Sequence, residues 1–81
     1  MKRDKVVVIE WEDSYHDSDW MGRGRARYDS RVSKCKTVGY LLKSNLREVT
    51  VFQSKSDTGN ITDTMSIPKK CIKSLRYLGE E

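Results

Sequence analysis

The chain has little of what catalysis and metal binding usually require. Its 81 residues include one histidine, His16, and two cysteines, Cys35 and Cys71. The cysteines are too far apart in sequence for a C-x-x-C redox or zinc pair, so both are expected as reduced, partly buried thiols. A general base has to be His16 or a carboxylate, and neither neighbour of His16 is a serine or cysteine nucleophile. His16 with Asp13, Asp17 and Asp19 repeats no known metal loop, and adjacent loop residues point in different directions. No enzyme, metal or cofactor is therefore expected. The longest apolar run, Val6 to Ile9, is four residues. That is far short of the roughly 20 a membrane span needs, and too short for the core of a signal peptide. A cytoplasmic protein with no membrane partner is the expectation.

One domain is all the length allows. A chain this short buries only about 60 to 65% of its unfolded surface, so its core is small. Charged residues are 35% and hydrophobic residues 36% of the chain, close to the balance of a wet-surfaced globular domain.

What is present is alternation. Val7, Ile9 and Trp11 alternate with Val6, Val8, Glu10 and Glu12, and three successive valines favour extended backbone. This is a first strand from Lys5 to Glu12, with Val7, Ile9 and Trp11 inward because the opposite face turns acidic. A second strand begins at Thr37, with Val38, Tyr40 and Leu42 on one face and Gly39, Leu41 and Lys43 on the other. Val49 to Ser54 is a third, rich in β-branched and aromatic residues. The stretch from Ser56 to Asn60, with Gly59, has the chemistry of a hairpin turn. Ile61 to Ile67 follows as a fourth strand, on which Ile61, Met65 and Ile67 share a face with Asp63, opposite a polar row of Thr62, Thr64 and Ser66.

The only proline, Pro68, donates nothing to a ladder and ends this strand or marks an edge. One tight turn through Lys69, Lys70 and Cys71 then leads to a short last strand, Ile72 to Leu78. Trp11, Val38, Tyr40, Val51 and Ile67 are the expected core.

Between the first two strands lies Asp13 to Lys36, 24 residues without a sustained period. Gly22 and Gly24 argue against a long helix, although one or two turns starting after Asp17 or Ser18 fit. Loops of this length are uncommon in compact domains and tend to be either functional or disordered. Its first half, through Trp20, is acidic. Its second half, Met21 to Lys36, sets Arg23, Arg25, Arg27, Arg31, Lys34 and Lys36 against Asp29 alone.

Those six basic residues and Tyr28 are the candidate nucleic-acid site. Guanidinium forks grip phosphates, a tyrosine ring stacks on a base, and flexible arginine-rich loops order on RNA or DNA. Tyr15, Trp20 and Tyr28 form the alternative, an aromatic surface for a protein partner. The last turn offers no aromatic, which argues against a proline-rich peptide groove. Trp20 is therefore expected to fold back and close the structure.

Strand, strand, hairpin, strand, one turn and a last strand resembles the ending of an SH3-type barrel, and from Gly39 onward an Sm-type barrel. The expected fold is thus mainly β, a five-stranded antiparallel SH3-like or Sm-like barrel carrying loop 13–36. The segments Trp11-Glu12-Asp13-Ser14, Trp20, Thr37 to Leu42 and Ile67 to Ile72 resemble a pattern found in small proteins encoded by bacteriophages and prophages. That resemblance implies a cytosolic accessory protein of an infected bacterium that acts by binding, and it brings no catalytic residues. Two readings stay open: a nucleic-acid module using the arginine-rich loop, or a protein-interaction module that holds a host protein or a second copy of itself.

Overall fold

The computed structural model describes residues 2–14, 18–29 and 31–81. Strand β1 (Lys5–Asp13) is followed by a helix, α1 (Arg23–Asp29), and a long strand β2 (Ser33–Ser44). Then come β3 (Glu48–Phe52), the short pair β4 (Ser54–Lys55) and β5 (Ile61–Thr62), and β6 (Met65–Pro68). A 3-10 turn, Lys69–Cys71, leads into β7 (Ile72–Glu80). Five strands form one antiparallel sheet in the order β6-β3-β2-β1-β7, and β4 pairs with β5 alone. The mainly β, antiparallel expectation holds. β6 and β7 are the two edges, and no pairing joins them among the described residues.

Directly opposed residues on neighbouring strands lie on the same side of a sheet. Val7, Ile9, Val49, Val51 and Ile67 come together in this way on one face as the buried cluster, with Trp11, Leu41 and Ile72 packed against it. The inward face of β1 is as expected, and Trp11 is fixed further by its Nε1, which donates to Thr37 Oγ1 at 2.9 Å.

Strand β2 has the opposite phase to the one expected. Gly39 opposes Val7 and Leu41 opposes Val51, so these two face the cluster, while Val38 is 47% exposed on the other side. The cause is a lack of room. A Cβ on Gly39 would stand 3.2 Å from Val51 Cβ and 3.1 Å from the Phe52 carbonyl oxygen, so a larger residue would push β2 and β3 apart by a few tenths of an ångström and glycine fits the close approach best.

Tyr40 is consequently on the outer face, half-buried, stacked on the buried Phe52 ring at 5.2 Å between centroids. The ring pair is covered by Lys55, whose Nζ lies 5.0 Å from the Tyr40 centroid.

Lys55 is also the clasp of the fold. Its Nζ donates to the Lys2 carbonyl at 2.6 Å, to Asp4 Oδ2 at 3.0 Å and to Glu81 O at 2.7 Å, using all three donors of an ammonium. Asp4 and Glu81 bond to each other through N–H···O contacts of 2.8 and 3.0 Å.

The fourth expected strand is two strands. Asp63 takes a positive φ of 56°, a conformation aspartate tolerates better than most side chains, and the chain breaks there. Ile61 then pairs with Lys55 in the hairpin, and Met65 to Pro68 pair with β3. Of the three residues expected to share a buried face, only Ile67 is buried. The turn at 56–60 is as expected, with Gly59 at φ 92°. β6 ends at Pro68, and the last strand runs past Leu78 to Glu80.

Two stability measurements test this arrangement. Ile67→Ala should lower unfolding free energy in urea by about 2 to 5 kcal/mol, whereas Val38→Ala should change it by less than about 1 kcal/mol. Equal losses at the two positions would place Val38 in the core. Lys55→Met, which leaves the Asp4 carboxylate and two carbonyls without their donor, should cost about 1 to 3 kcal/mol and speed exchange of the Asp4 and Glu81 amides. Unchanged exchange at those amides would show that the termini are held by something else.

Candidate functional site

The connection between β1 and β2 is shorter than the sequence implies. β1 and β2 stay paired from Val6 opposite Tyr40 out to Asp13 opposite Ser33. They form a ribbon that carries α1 at its end, on a molecule 55 Å long and about 20 Å across. The outer part of the ribbon lacks apolar alternation and sets opposite charges across the ladder. Glu10 opposes Lys36 and Glu12 opposes Lys34, with Lys36 Nζ 3.5 Å from Glu10 Oε1. Glu12 also reaches Lys73 Nζ on β7 at 3.8 Å. Opposite charges placed directly across an antiparallel pair stabilise its register by a few tenths of a kcal/mol, roughly up to 1.

α1 starts later than the positions after Asp17 or Ser18. Its first intrahelical bond runs from the Ala26 N–H to the Gly22 carbonyl at 3.0 Å, which makes Gly22 the N-terminal flanking residue. This helix is poorly built for its own stability. It has seven residues, Gly24 inside it, and Arg23 and Arg25 in a first turn that holds no acidic residue. Glycine costs roughly 1 kcal/mol in a helix, and cations at the N-terminus oppose the helix dipole. Arg23 and Arg27 are four apart and so share a face, while Arg25 lies beside Tyr28.

The exposures at the tip are large. Trp20 is fully exposed and Tyr28 is 86% exposed. Trp20 therefore does not fold back to close the structure: the ribbon carries this segment away from the core. Arg23, Arg27, Arg31 and Lys34 have no ion-pair partner among the described residues, whereas Arg25 and Asp19 are each engaged within the chain.

Of the seven candidate residues, Arg23, Arg25, Arg27 and Tyr28 are brought together on α1, and Arg31 follows just before β2. Lys34 and Lys36 stand lower, on the ribbon, where Glu12 and Glu10 face them. Tyr15, His16 and Asp17 lie outside the described residues. Among the described residues, no group of three His, Cys, Asp or Glu side chains could hold a metal ion. No helix among them is long and apolar enough to cross a membrane. The two thiols are unbridged and half-buried.

Sequence reasoning missed that Lys36 is ion-paired with Glu10 and that Lys34 stands across the ribbon from Glu12. The signal was there, in Glu10-x-Glu12 and Lys34-x-Lys36 placed symmetrically about the connection. Comparison with protein-family models, with curated proteins and with solved structures returned no match.

A seven-residue helix is marginal by itself. Backbone amides of Ala26 to Tyr28 should exchange with solvent faster than those of Val49 to Phe52, and hydrogen exchange followed by NMR reads this directly. Equal protection in the uncomplexed protein would mean that α1 is held by packing.

Proposed function

We propose that the chain is a small non-enzymatic binding module with an SH3-like strand arrangement, and that its tip holds nucleic acid through phosphates without reading sequence. The observation that carries this reading is the tip itself: three arginines and an exposed tyrosine on α1, with an exposed tryptophan just before it. Guanidinium groups engage phosphate oxygens, and the two aromatic faces stack on bases of any identity. The SH3-like assignment is supported by the strand order β6-β3-β2-β1-β7 and by the 3-10 turn between the last two strands of that sheet. An accessory role of the bacteriophage type, in the host cytoplasm, is supported by the sequence resemblance alone.

Exposed Trp20 and Tyr28 also favour a second reading, an aromatic contact with a host protein. Salt separates the two. With about three to five phosphates touched on a duplex, the logarithm of affinity should fall against the logarithm of salt with a slope near −3 to −4.5, at about −0.9 per contact. Arg23→Ala, Arg25→Ala and Arg27→Ala together should flatten that slope and weaken unrelated sequences alike, with little change in melting temperature. A folded sample that binds no RNA or DNA at low salt would leave the aromatic, protein-binding reading.

A further inference from the structure

The core face of the sheet runs out into solvent at one edge. On β7, Leu75 lies opposite the buried Ile9 and Tyr77 opposite the buried Val7, which puts both on the side of the cluster. Yet they are 44% and 57% exposed, because β7 pairs only with β1 and ends the sheet. The opposite edge is blunt. β6 has four residues and finishes at Pro68, which has no N–H to offer. β7 has nine residues and no proline, so it is the edge on which another strand can be added.

The same edge is basic. Lys69 and Lys70, exposed in the 3-10 turn, precede Lys73 and Arg76, and only Glu80 opposes them in sequence. Lys73 is tied to Glu12, but Lys69, Lys70 and Arg76 have no ion-pair partner among the described residues.

We propose that the open edge of β7 is a docking strip for an extended polypeptide segment in which acidic residues alternate with apolar ones. Each feature of the strip selects for that chemistry. A strand edge presents both N–H and C=O groups; a phosphate chain can answer only the donors, whereas a polypeptide strand answers both. Apolar side chains of the segment cover Leu75 and Tyr77 and extend the cluster outward, and carboxylates on its other face meet Arg76 and the turn lysines. A second copy of β7 is the wrong partner, since antiparallel self-pairing sets one basic strand against another. This strip is separate from the α1 tip and does not depend on it.

The test uses peptides of about ten residues, long enough to lie along β7. One alternates valine with glutamate, and its control alternates valine with lysine. In NMR titration of the unmodified protein, the glutamate peptide should shift the amides of Ile72 to Glu80 and leave those of α1 in place. The lysine peptide should not bind. Lys69→Glu, Lys70→Glu and Arg76→Glu combined should weaken the glutamate peptide by about tenfold or more and admit the lysine peptide.

Equal response to both peptides, or shifts confined to residues outside β7, would overturn the proposal. So would β7 resonances that move with an oligonucleotide but not with the glutamate peptide, or with protein concentration alone. The peptide swap is read on the native sequence, so the outcome stands even if the charge-reversed variant fails to fold.

Discussion

The structure depends on one close approach, between β2 and β3 at Gly39. With no Cβ there, β2 can bring its backbone to where a side chain would stand tightly, at 3.1 to 3.2 Å, against Val51, Phe52 and Gln53. Because side chains alternate with period two, placing Gly39 inward sends Val38 and Tyr40 outward together. A one-residue phase choice thus divides the apolar residues of the chain between two faces. The inner face keeps the aliphatic cluster of Val7, Ile9, Val49, Val51 and Ile67. The outer face receives the stacked pair Tyr40 and Phe52, which then needs a cover of its own.

That cover is a charged residue. Lys55 spreads over the Tyr40 ring and delivers its ammonium to three oxygens from the two ends of the chain, with its side chain 12% exposed and that of Asp4 16%. A largely buried cation is tolerable only when every donor is matched, and here each one is. The clasp therefore does two jobs through one side chain, shielding an aromatic pair and tying the ends of β1 and β7 beside the β4–β5 hairpin. The break at Asp63 serves the same end, since it frees Ile61 and Thr62 to pair with β4 while Ile67 remains in the cluster.

The two candidate binding surfaces arise from what this core cannot reach. Beyond Trp11 the β1–β2 ribbon contributes nothing to the buried cluster, and it carries α1 with its arginines and neighbouring Trp20 into solvent. At the other extreme, the cluster is too small to enclose Leu75 and Tyr77, so the last strand keeps an apolar, basic, unpaired edge. Both surfaces are consequences of a domain with little core for its length.

The sequence alone determined the strands whose alternation is strong, β1 and β3, the turn around Gly59, the stop at Pro68 and the single turn into the last strand. In each case the decisive interactions are local: β-branched alternation, a glycine at positive φ, a residue without an N–H. It also marked Arg23, Arg25, Arg27 and Tyr28 as a cluster, because residues this close in sequence stay close in any fold. Tertiary structure alone decided the phase of β2, since either face carries apolar residues and the close approach of Gly39 to β3 favours the one with glycine inward. It likewise decided that Trp20 stands out, that Lys36 is paired with Glu10, and that Lys55 is a clasp. Those outcomes rest on residues brought together from distant parts of the chain, and no local pattern encodes which of them will meet.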